Sequence, residues 1–181
     1  MKLFSTFLTL ILFLNGCANN SLADAFKRLP EASCPTSMRE PTLVYDEDNS
    51  YMKTGTDLSL AGAKPSYNYC EFKIFTNESG QNVYAIVSAT VTPMAIFSSF
   101  DFFEMQNGEF ISVKEEIMSH VDSDQLAKNS AASIEKNRPE LIGEKLEENY
   151  YMELSRDTSD INFIHYNTGE TIYTLKWTDL E

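Results

Sequence analysis

Residues 67–92 read YNYCEFKIFTNESGQNVYAIVSATVT, and they decide the fold class. From Tyr67 to Phe75 apolar and polar side chains alternate, the period-two pattern of a strand with one face in a core. Asn77-Glu78-Ser79-Gly80 offers turn residues, and Val83–Thr92 is rich in β-branched side chains that suit a pleated surface. The stretch is a predicted hairpin. A second hairpin follows, Ile96–Met105 and Glu109–Lys114 around Gln106-Asn107-Gly108, because Asn-Gly readily adopts the positive φ that a tight turn demands.

Toward the C-terminus the pattern turns helical over residues 119–149. Asp122-Ser123-Asp124-Gln125 offers a capping-box start ahead of Leu126, Ala127, Ala131 and Ile134. Asn137-Arg138-Pro139-Glu140 reads as a fresh N-terminus for a second helix bearing Leu141, Ile142, Leu146 and Tyr150. Three strands are predicted beyond it, Tyr150–Leu154, Ile161–Tyr166 and Thr171–Trp177. Toward the N-terminus, residues 30–66 hold Pro30, Pro35, Pro41 and Pro65 and read as loop with a brief strand at Thr42–Tyr45. Leu22, Ala25, Phe26 and Leu29 fall on one face of a short helix within residues 21–29 that either docks on the domain or begins a tether. The expected architecture is α+β: a mostly antiparallel sheet of hairpins with a helical segment packed on one face, forming one domain over residues 41–181. The order of helix and then strands ending near an aromatic resembles that of Mog1/PsbP-like domains.

Composition bounds the function. A hydrophobic fraction of 43% with 12 Phe, 9 Tyr and 1 Trp excludes wholesale disorder. Fourteen basic residues against 27 acidic ones give a net charge of −13, which argues against nonspecific nucleic-acid binding. At the N-terminus Met1-Lys2 precedes twelve uncharged residues, Leu3–Leu14. A spanning helix needs about 20 apolar residues, so this stretch suits the core of a signal peptide over residues 1–16. Leu14-Asn15-Gly16-Cys17 then resembles the lipobox of bacterial lipoproteins. That resemblance implies cleavage after Gly16, a diacylglyceryl group on the Cys17 sulfur and acylation of its new amine. It makes residues 17–40 the lipidated N-terminus and tether. Ala18 takes the place where aspartate would favour the inner membrane, so the resemblance implies a periplasm-facing lipid anchor in the outer membrane of the bacterial cell envelope.

The lipid would consume one of three cysteines. Cys34 and Cys70 remain, and an even pair in an oxidising compartment is expected to form a disulfide. The competing reading makes one of them a catalytic thiol, although neither has a neighbouring histidine or a C-x-x-C partner.

Few residues invite chemistry. His120 and His165 are the two histidines, and no G-x-S-x-G accompanies them. Asp46, Asp48 and Ser50 have the early spacing of a calcium loop, but Tyr51 stands where the turn glycine belongs. Glu140, Glu144, Glu147 and Glu148 read as an exposed acidic helix face rather than a facing catalytic pair. Phe97, Phe100, Phe102 and Phe103 form the densest aromatic patch, explained by core packing or by a partner-facing surface. No catalytic residue, metal or cofactor is expected. Asp46, Glu47, Asp48, Phe97, Phe100 and Phe103 are the candidate partner-binding residues.

The function this points to is a non-catalytic protein-binding module, an inhibitor or immunity protein that neutralises a basic toxin or hydrolase. Two other classes stay open: an envelope assembly or maintenance lipoprotein, and a periplasmic hydrolase whose site the sequence does not reveal.

Overall fold

A computed structural model describes residues 21–57, 66–77, 80–92, 95–142 and 150–180. The expected signal peptide and Cys17 lie outside these. The strands β1 (Thr42–Asp46), β2 (Tyr51–Asp57), β3 (Tyr67–Thr76), β4 (Asn82–Val91), β5 (Ile96–Gln106) and β6 (Glu109–Ser112) form one antiparallel sheet in chain order. A second antiparallel sheet holds β7 (Tyr150–Leu154), β8 (Asp160–His165) and β9 (Thr171–Lys176). The helices are α1 (Leu22–Lys27), α2 (Lys114–Ser119) and α3 (Ser123–Asn137). The class is α+β with mostly antiparallel sheet.

The alternation in β3 does what period two requires. Cys70, Phe72 and Ile74 point to one side, where Phe72 clusters with Leu22, Ala25, Phe26 and Leu29 of the α1 segment and with Met52, Tyr84, Ile86 and Phe103. Tyr69, Glu71, Lys73 and Phe75 point to the other side, where Phe75 joins Val83, Ala85, Phe102, Met152, Leu154, Ile161, Phe163 and Trp177. The large sheet is therefore buried on both faces, which accounts for the nearly continuous apolar run in β4. The α1 segment belongs to this core. Its last carbonyls are collected by Arg39, whose guanidinium donates to the carbonyls of Lys27, Leu29 and Cys34 at 3.0, 2.9 and 2.8 Å. Cys34 is bonded to Cys70 with an S–S distance of 2.09 Å, fastening the same loop to β3.

The packed core takes in the α1 segment and Cys34, so residues 21–40 belong to the folded body rather than to a tether ahead of residue 41, and three more expectations differ from the structure. β2 lies inside the stretch read as loop; Lys53, Thr54, Gly55 and Thr56 blur its alternation, and long-range pairing with β3 supplies what local propensity lacks. The last expected residue of the second hairpin, Lys114, instead opens α2, since β6 ends at Ser112. Of the second predicted helix, Pro139–Leu141 form a 3-10 turn that ends at an extended Ile142, and residues 143–149 lie outside the described residues. Other local signals hold. Asp122 caps α3 by accepting from the Gln125 N–H at 2.9 Å, and Asn107 and Gly108 turn with φ of 52° and 87°.

Candidate functional site

Register places the two ends of the large sheet. At one end Asp46, Tyr51, Lys73, Ala85 and Phe102 share a row, beyond which the β1–β2 and β3–β4 turns form the hairpin tips. At the other end Asp57, Tyr67, Val91 and Ile96 share a row. Six residues of strand separate the two rows, about 20 Å at 3.3 Å per residue.

This second end, the rim, gathers aromatic and charged groups from both sheets. Tyr67 and Tyr69 stand on the same face of β3 with rings stacked at 6.0 Å. Tyr151 on β7 packs on Tyr166 at 5.4 Å, and the Tyr166 hydroxyl shares a hydrogen bond of 2.9 Å with that of Ser98 on β5. Gly55 lies directly across from Tyr69, so close that an added Cβ would come within 2.3 Å of the Asn68 carbonyl oxygen. Only glycine permits that approach. Lys53, two residues earlier on β2, lays its ammonium over the Tyr69 ring at 4.1 Å.

Beneath the tyrosines lies an unbalanced set of charges. Glu71 is 4% exposed; it receives the Lys53 ammonium at 2.7 Å and the Leu154 N–H at 3.1 Å, so its carboxylate ties the two sheets together. Glu153 is half-buried nearby. Burial first, and then the Glu71 charge, push its carboxyl above the ordinary range, with Lys53 pulling the other way. Among the described residues one ammonium thus answers two carboxylates. Burial, followed by the charge of Glu71, also raises the Tyr69 hydroxyl, and burial followed by Glu153 raises that of Tyr151; both stay protonated donors at neutral pH. Tyr67 is 41% exposed and gives the cluster an open side.

The hairpin tips are different. Arg156 donates to Asp46 at 2.6 Å, and Asn49 donates through its backbone and side chain at 3.2 and 3.0 Å. Those bonds, Asn49 first and Arg156 next, hold the Asp46 carboxyl down at about 2. The Lys73 ammonium is nearly buried and donates to the carbonyls of Ser155, Arg156 and Thr158. Glu47 and Asp48 stay exposed on the turn.

The six partner-binding candidates therefore do not form one surface. Asp46, Glu47 and Asp48 are at the tips and Phe97 is near the rim, 65% exposed. Phe100 is on the opposite face of β5 from Phe97, partly buried, with the Lys114 ammonium 4.2 Å from its ring centre. Phe103 is 7% exposed and packs against Phe110 at 5.8 Å in the core. Alternation along β5 splits the patch that linear sequence joins. The tyrosine cluster was not singled out from sequence. Tyr67 and Tyr69 carry an i, i+2 signal, but Tyr151 and Tyr166 join them only through folding.

The other candidates are placed as follows. His165 is fully buried, its Nδ1 accepting from the Asn167 N–H at 3.2 Å and its Nε2 without a partner. His120 ends α2 on the surface. Among the described residues neither imidazole is hydrogen-bonded to a serine, threonine or carboxylate side chain. Glu140 pairs with Arg138 at 2.5 Å, while Glu144, Glu147 and Glu148 lie outside the described residues. Among the described residues, no three His, Cys, Asp or Glu side chains gather to hold a metal ion. Comparison of the chain with protein-family models, with curated proteins and with solved structures finds no match in any of the three.

Proposed function

We propose that this chain is a lipid-anchored, non-catalytic binding module of the bacterial envelope that captures a basic protein through the rim, as an inhibitor of a hydrolase or an immunity protein against a toxin would. In this reading Cys17 carries the lipid, the outer membrane holds the anchor, and α3 is the helical segment laid on one face of the strands. The observation that supports it best is the pair of carboxylates beneath the tyrosines, Glu71 and Glu153, that share the one ammonium of Lys53 among the described residues. A lysine or arginine from a partner would settle over Tyr67 and Tyr151, reach Glu153 and relieve its repulsion with Glu71. Tyrosines suit this role, since they bury large area at small entropic cost and their hydroxyls donate or accept. The overall charge of −13 speeds the approach of a basic protein.

The test is capture from periplasmic and competitor-secreted proteins by the full chain, run beside Tyr67→Ala, Tyr151→Ala and Glu153→Gln. The reading expects a basic protein retained by the wild type, released by moderate salt and lost with each variant. No retained protein, or one retained equally by all three variants, overturns it.

A further inference from the structure

The chain is fixed to the domain from Ser21 onward. Ser21 caps α1 by accepting from the Asp24 N–H at 3.2 Å, and Leu22, the next residue, is already buried in the core. Ser21 and Leu22 line a hollow together with Glu47, Ser50, Ile74, Thr76 and Asn82, so the chain enters the domain at the hairpin tips. Cys17 precedes Ser21 by four residues, a reach of at most about 14 Å even when fully extended. The rim lies about 20 Å along the strands from the tip row, farther than that reach.

From this we infer that the anchor at Cys17 holds the hairpin-tip end next to the bilayer and turns the tyrosine rim away from it, toward the aqueous compartment where a basic protein would arrive. The inference rests on the lipid anchor of the reading above. The two acidic sets of this protein then do different work. Exposed Glu47 and Asp48 face the headgroups and repel anionic ones, which keeps the tips from lying flat on the surface. Glu153 faces the partner. The tether is too short for the domain to present its tips to a partner, and the rim keeps its tyrosines clear of lipid.

The experiment uses the full lipidated chain in vesicles of phosphatidylethanolamine and phosphatidylglycerol, with a fluorophore on Glu47→Cys or on Phe97→Cys and a nitroxide quencher on the lipid headgroups. The expected result is flotation with the vesicles, loss of fluorescence from the Glu47→Cys label and none from the Phe97→Cys label. Twenty Gly/Ser residues inserted between Asn20 and Ser21 are expected to erase that difference, since such a linker spans about 25 Å on average. Equal quenching of both labels with the native tether, or stronger quenching at Phe97→Cys, overturns the orientation while leaving the anchor intact. Failure to float overturns the anchor and the orientation with it. Capture of a partner by the rim is read in a separate assay, so its failure is distinguishable from either.

Discussion

At the hairpin tips Asp46 is held by Arg156 and Asn49, and Lys73 is spent on three carbonyls; at the rim Glu153 shares Lys53 with Glu71 among the described residues, and Tyr67 opens to solvent. The two ends of one sheet thus use similar side chains to opposite effect. A charge answered inside the molecule, as that of Asp46 is, stabilises it and has nothing left for a ligand. Charges left partly unanswered cost stability and are where a partner gains.

Breaking the comparison begins with the covalent bond. Replacing Cys34 and Cys70 together by alanine is expected to cost about 4 kcal/mol, since the bridge closes a loop of 36 residues. Urea unfolding reads this directly, and the loss falls on the face that carries Phe97. The next effect belongs to the tips. Lys73→Met leaves the carbonyls of Ser155, Arg156 and Thr158 without their donor and is expected to cost about 2–3 kcal/mol, without weakening partner capture at the rim.

A pH series sharpens the contrast through a buried group beside the rim tyrosines, His165. Burial lowers the pKa of His165, with the Glu170 charge opposing it, so the folded protein holds the imidazole neutral. The unfolded chain binds that proton first, so stability falls as pH drops below about 6.5 and levels off below the folded pKa. The urea midpoint at pH 7.5 should exceed that at pH 5.5, and His165→Phe should flatten this part of the profile. The smallest expected change is the most diagnostic. Glu153 is disfavoured as an anion by burial and by Glu71, so Glu153→Gln should leave the neutral-pH unfolding midpoint unchanged or slightly raised. Asp46→Asn, by contrast, gives up bonds that lower its pKa, so its midpoint should fall. If both variants shift stability in the same direction, the two ends do not differ as described.

Much of the fold was legible because its signals are local. The turns at Asn107-Gly108, the Asp122 cap and the alternation from Tyr67 to Phe75 each involve neighbours in the chain. β2 was not legible, because a strand of Lys, Thr and Gly is stabilised by its pairing with β3 rather than by its own residues. Of the candidate residues read from the sequence only the exposed Phe97 falls near the rim, on the opposite face of the sheet from Tyr67 and Tyr69. Phe103 shares the face of Phe97 six residues along β5 and is buried because the α1 segment and Phe110 cover that part of the sheet, which no local pattern shows.

Composition, turn chemistry and periodicity by themselves determined an acidic α+β domain of antiparallel hairpins with a cysteine pair. These follow from short-range sterics and from the burial of one strand face, which any reader of the chain can count. Only the tertiary structure decided that Glu71 ties two sheets together and that Tyr151 and Tyr166 join Tyr67 and Tyr69. Those groups are brought together by the packing of one sheet on another, and their electrostatics depend on the water that packing removes.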